Sequence, residues 1–301
     1  MNASDLEVTP AVALAFAVFA ASTSAILVRW SQAPSSVAAF YRVLFTTALV
    51  TPIAVLGHRE AFARLSRRDL GFAAVAGVAL AAHFAAWFES LNYTSVAASV
   101  TIVQSQPVFV ALGAVFVLGE RITREAALGI AVAIGGAAVM SLGDAGQAPL
   151  ADATLYGNSL ALLGAVTVAG YVLAGRSIRQ RVSLFPYVTV VYIACAITLF
   201  ALVGVQGHAY VAYPPREWLL FFAMAVGPGI FGHTVVNWAL KHLESVVVSV
   251  AWLGEPVGAT LLALVLLAEV PDTVTVVGGL VVLAGIYLTT IKRERRHSPT
   301  D

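Results

Sequence analysis

Long apolar runs alternate with short polar punctuation along the whole chain. A bilayer-crossing helix needs about 20 mainly apolar residues and must satisfy its backbone hydrogen bonds internally, because lipid offers no partners. Ten segments meet that requirement, at about 10–28, 35–56, 70–89, 95–118, 124–142, 154–174, 184–205, 217–239, 244–267 and 273–291. The connections between them are short and carry most of the charge, which leaves no room for an extramembrane domain. The pattern therefore predicts an all-α integral membrane protein, with residues 1–301 as one membrane domain ending in a tail at 292–301. The first run, Pro10 to Val28, follows Asp5 and Glu7 instead of a basic stretch. It is also too long for the apolar region of a secretory signal, so it reads as a retained helix.

The runs also repeat. Residues 106–123 read QPVFVALGAVFVLGERIT, and residues 255–272 read EPVGATLLALVLLAEVPD. Pro107 and Glu120 are thirteen residues apart, as are Pro256 and Glu269, and the shift between the copies is 149. The same shift carries Leu91 onto Leu240, Gly129 onto Gly278 and Gly136 onto Gly285. Two five-helix units, about 10–142 and 154–291, thus share one plan. An odd number of spans per unit turns the second copy upside down, and inverted repeats are a common build of secondary transporters, whose halves rock about a site near the midplane.

Composition agrees with this solvent: 59% of residues are hydrophobic and 11% charged, with a mean hydropathy of +0.88, whereas soluble domains run near 25% charged. The net charge of +1 gives no reason to expect a nucleic-acid partner. A single cysteine, Cys195, excludes an intramolecular disulfide. Lys and Arg gather in cytoplasmic loops. With both termini inside, fourteen of the seventeen fall on that side, leaving Arg29 and Arg216 outside and Arg42 within a span. The expected location is a bacterial-type inner membrane, multi-pass, with cytoplasmic termini.

The Leu-Gly-Glu-Arg step that follows Pro107 and ends at Arg121, its weaker copy from Pro256 to Glu269, the Phe40-Tyr41-Arg42 step and the ten spans resemble the drug/metabolite transporter superfamily, EamA type. The second copy departs at Ala268 and Val270, which flank Glu269 where the first has glycine and arginine. The resemblance covers the whole chain. It implies export of small metabolites, amino acids among them, from a central cavity, with the fifth and tenth helices peripheral.

Several residues inside the spans are candidates for that cavity. Pro107 and Pro256 each lie about twelve residues into their helices and should open them near the midplane, freeing carbonyls beside Gln104, Gln106 and Glu255. Irregular backbone at that depth requires protein or a wet cavity around it; the alternative is a packing kink. Arg42, ~10 Å from the end of its helix, must face protein, water or an anion. It could hold a substrate carboxylate, cap the carbonyls of a broken helix, or snorkel to the surface. Glu255 is the one carboxylate well inside a span, a proton-coupling candidate or else a neutral glutamate bonded to a neighbouring helix. His83 with Trp87, and His233 with Asn237, are i, i+4 pairs that can share an inward face. Tyr41, Tyr171 and Trp252, with Phe84 and Tyr192, are deep enough to line a pocket or to pack helices. Trp30, Tyr156, Trp218 and Trp238 fall near span ends, as interfacial belts do.

Gly227-Pro228-Gly229 through Thr234 nearly spells a phosphate-binding loop, but His233 stands where a lysine is needed and no strand precedes it. The step should instead break the eighth helix and act as a hinge. Gly129, Gly135, Gly136, Gly278, Gly279 and Gly285 suit close helix approach. No zinc-ligand spacing, nucleophile elbow or paired intramembrane aspartate appears. The expectation is an alternating-access carrier without metal or cofactor. Its partners are a small-molecule substrate and the lipid bilayer, with no nucleic acid, no required oligomer and proton coupling left open. A facilitative uniporter, an importer or a carrier of another small solute is the alternative, and an intramembrane enzyme the weakest.

Overall fold

A computed structural model describes residues 9–90, 93, 99, 102–143, 151–267, 270 and 273–297. Among them there is no strand, and ten helices follow one another: α1 (Pro10–Trp30), α2 (Ser35–Gly57), α3 (Arg67–Ser90), α4 (Gln106–Leu118), α5 (Arg124–Gly143), α6 (Ala151–Arg179), α7 (Leu184–Val205), α8 (Pro215–His242), α9 (Ser245–Ala251 and Glu255–Leu267) and α10 (Thr273–His297). A five-residue turn of helix, Arg59–Ala63, lies between α2 and α3. Seven of the ten, all but α4, α5 and α10, are long and apolar enough over their described residues to cross a membrane by themselves. Leu91, Ala268, Glu269, Asp272 and most of the predicted stretch 95–101, together with the end of the tail, lie outside the described residues.

The 149-residue shift reappears in the helix boundaries. The ends of α1 and α6, the starts of α2 and α7, the starts of α4 and of the second part of α9, and the starts of α5 and α10 all differ by 149. The chain is thus two inverted five-helix repeats. They do not pack as separate halves. α3 lies mainly on α6 and α7, and α8 on α1 and α2, so the third helix of each repeat packs into the other repeat. Carboxylates fix these cross-repeat contacts at opposite ends of the molecule. Asp69 of α3 accepts from Arg181 Nε at 2.9 Å. Glu217 of α8 accepts from Ser31 Oγ at 2.5 Å and from the Gln32 backbone N–H at 3.0 Å. Arg181 and Gln32 are again 149 apart.

Breaks and glycines follow physical causes. α4 begins at Gln106 after a turn at Gln104 and Ser105, and α9 is interrupted by a 3-10 turn at Trp252–Gly254. Pro107 and Pro256 each sit second in the segment that restarts, where a missing N–H costs nothing. The predicted break at Gly227, Pro228 and Gly229 is different: the helix continues through them as a wide π-helical stretch, Ala225–Thr234. The chain accommodates Pro228 by widening, and the loosened carbonyls find hydroxyls. Thr46 Oγ1 donates to Ala225 at 3.2 Å, and Thr234 Oγ1 to Gly229 at 3.3 Å. α6 runs five residues past its predicted end, so Arg176 and Arg179 stand on a helix and not in a loop. Gly119 closes α4 at φ 67°, a left-handed conformation that glycine adopts without strain.

α5 and α10 pair with each other more extensively than any other two helices. A methyl added at Gly136 would come within 2.5 Å of the Val282 nitrogen, and one at Gly285 within 2.6 Å of Ala133 Cβ. Close backbone approach is what drives helix association where lipid removes the hydrophobic incentive. Gly135, by contrast, faces open space.

Candidate functional site

Seven helices, α1 to α4, α6, α8 and α9, enclose a cavity of about 40 Å³ between the two repeats. α5 and α10 contribute nothing to its wall. Arg42, His83, Trp87, Gln104, Gln106, Tyr171, His233, Trp252 and Glu255 all line it, with Ala21, Ser24, Phe84, Val103, Val168, Val172, Val248 and Ser249. The breaks in α4 and α9 thus bring Gln104, Gln106 and Glu255 to one place.

Arg42 is 3% exposed. Its guanidinium lies 4.6 Å above the Phe84 ring, and Nη1 donates to Ser24 Oγ at 3.1 Å, its one hydrogen bond among the described residues. Five N–H donors on a planar fork are far from satisfied by that. Glu255 is within electrostatic reach of the guanidinium. Its Oε2 accepts from Trp252 Nε1 at 2.6 Å, and its backbone carbonyl takes the Ser22 hydroxyl at 3.0 Å.

The remaining wall is aromatic. His83 Nδ1 donates to the Gly164 carbonyl at 2.9 Å, since a carbonyl can only accept, and Nε2 is thereby the ring nitrogen left for any further partner. The imidazole stacks on Trp87 at 5.6 Å between ring centres. His233 touches Phe84, Tyr171 and Trp252 at 5.5, 6.0 and 5.0 Å. Trp87 Nε1, Gln104 Oε1 and His233 Nδ1 are buried polar atoms with no partner among the described residues. An unmade hydrogen bond in such a place costs about 1–3 kcal/mol, and all three belong to residues that line one cavity.

Three sequence candidates stand elsewhere, one of them Tyr192, which is buried off the cavity with its hydroxyl paired to Thr234 Oγ1 at 2.9 Å. Tyr41 follows the helical rotation of about 100° per residue away from Arg42. It stacks on Phe221 at 5.2 Å, meets Trp218 edge-on at 4.7 Å and donates to the Tyr210 carbonyl. Asn237 is fully buried behind the wall: its amide donates to the His233 carbonyl at 2.8 Å and to the Tyr171 hydroxyl. Trp218 belongs to the Tyr41 cluster. Sequence reasoning missed Ser24 and Ser249, whose hydroxyls look like helix packing; only the Ser-Thr-Ser run at 22–24 within an apolar span hinted at the first. No group of metal-ligating side chains occurs among the described residues.

A model of the EamA-like transporter family matches the chain twice, over residues 9–142 and 155–291. Similar proteins include an uncharacterized transporter of Archaeoglobus fulgidus, 26% identical over 85% of this chain and 88% of its own length. The pseudopaline exporter CntI of Pseudomonas aeruginosa is 28% identical over 87% of this chain and 90% of its own. A solved crystal structure shares the fold at a TM-score of 0.79 and 20% identity, covering 96% of this chain and 99% of the other.

Proposed function

We propose that this chain, which belongs to the EamA-like transporter family, exports small amphoteric metabolites, amino acids first among them, by alternating access through the central cavity. The observation that carries this reading is the under-bonded Arg42 fork facing the same small space as Glu255. A carboxylate suits the fork bidentately, an ammonium suits Glu255 and Gln104 Oε1, and the rings of Phe84, Trp87, His233 and Trp252 suit an apolar or aromatic side chain. At about 40 Å³ the cavity holds a few waters, whereas ligand pockets run to several hundred Å³. The substrate is therefore taken up as the helices around the cavity move apart on one side.

The chain sits in a bacterial-type inner membrane as a single domain with both ends cytoplasmic, the arrangement its Lys and Arg distribution supports. Glu255 carries the proton if flux is coupled to one. The relative named as a pseudopaline exporter favours a second reading, export of a different small metabolite through the same cavity. Proteoliposomes loaded with labelled amino acids and other metabolites separate these readings. Efflux of an amino acid that rises with an inward proton gradient, and loses that dependence in Glu255→Gln, is the expected result. Efflux of none of the amino acids removes the substrate assignment, and flux indifferent to pH and to the substitution removes proton coupling.

A further inference from the structure

The packing divides the cavity wall into two bodies, each drawn from both repeats: α3, α4 and α6 on one side, α1, α8 and α9 on the other. The α2–α7 and α5–α10 pairs form the seams between them. At one end of the molecule, a set of hydrogen bonds crosses from the first body to the second. Glu120, turned inward by the left-handed Gly119, accepts from Ser245 Oγ of α9 at 2.8 Å while holding Arg176 Nε of its own body at 3.0 Å. Arg176 Nη1 then donates to the Leu240 carbonyl of α8 at 3.0 Å, and Gln180 Nε2 to the same carbonyl at 3.2 Å. Arg179 Nε donates to the Asn237 carbonyl at 2.9 Å. The side chains of Arg176 and Glu120 are 20% and 11% exposed, so water screens this pair far less than an ordinary surface ion pair.

At the opposite end the repeat-related positions hold no arginine. Moving back by 149 residues, Arg176 becomes Leu27 and Arg179 becomes Trp30. The two ends thus differ in sequence at the positions from which the arginines reach across.

We propose that Glu120, Arg176 and Ser245 form a latch that keeps the cavity shut toward the end where α4, α6 and α8 terminate, and that this closure dominates at rest. The latch rests on the alternating-access reading. Opening that end requires Ser245 and the Leu240 carbonyl to leave their partners, whereas the repeat-related positions at the other end hold no arginine to make such bonds. Glu120 is a positioning residue: it does not touch the cavity and acts through the state it holds.

The test places one cysteine, Ser249→Cys, in the cavity wall of full-length protein carrying Cys195→Ala, reconstituted in vesicles of known orientation. A membrane-impermeant thiol reagent is applied from each face in turn. The parent should be labelled faster from the face opposite the latch. Glu120→Gln should raise the rate from the latch face about tenfold, as loss of a charge-assisted bond implies, without raising the rate from the other face. Ser245→Ala should raise it by a smaller factor, and it carries the test if Glu120→Gln fails to fold. An unchanged latch-face rate, or an equal rise from both faces as general loosening gives, overturns the latch. Because labelling reads access and not cargo, a latch response without amino-acid efflux overturns only the substrate assignment.

Discussion

At Arg42 a single side chain meets opposing demands. An arginine at a helix centre costs about 2.5–3.5 kcal/mol on insertion scales, and here one serine hydroxyl and one phenyl ring are its described partners. A lysine would keep the charge but lose both the planar fork and the stacking on Phe84. Arg42→Lys is expected to cut the initial efflux rate about tenfold or more, with a melting temperature in detergent close to the parent's; full-rate efflux would show that the fork has no role in binding. Much of the site was legible at this scale, because arginine, histidine, glutamine and glutamate stand out against apolar spans. Tyr41 was not, since its neighbour's inward direction excludes its own, and neither were Ser24 and Ser249, which also serve as ordinary packing residues.

Among elements, the α5–α10 pair offers the sharpest contrast. Gly285→Ala drives a methyl into Ala133, an overpacking worth about 1–3 kcal/mol, and thermal unfolding should drop by several degrees. Gly135→Ala meets open space and gains up to about 1 kcal/mol of helix propensity, so its unfolding temperature should hold or rise. Both positions looked alike as glycines in a membrane helix. Only the partner's backbone tells them apart, and sequence does not reveal which face meets it. Proline was readable in α4 and α9 because it falls in a first turn there. In α8 it was misleading, since hydroxyls from Thr46 and Thr234 let the helix widen instead of snapping.

For the whole molecule, the 149-residue shift foretold the repeats to the residue at several helix ends. The exchange of partners between repeats was hidden, because a helix's own pattern says that a face is buried but not by which neighbour. An even count of spans with the observed Lys and Arg asymmetry predicts that a fluorescent reporter fused to the carboxyl end lights up in the cytoplasm. An externally active reporter at that end, beside an internal amino terminus, would break the antiparallel relation of the repeats. The size of the central cavity has a consequence for supply and demand. A solute that must prise apart a space of about 40 Å³ spends part of its binding energy on the expansion, and its apparent affinity weakens by the same factor. Under the proposed export, such a carrier would respond to surplus solute more than to low levels of it, the behaviour of a relief valve.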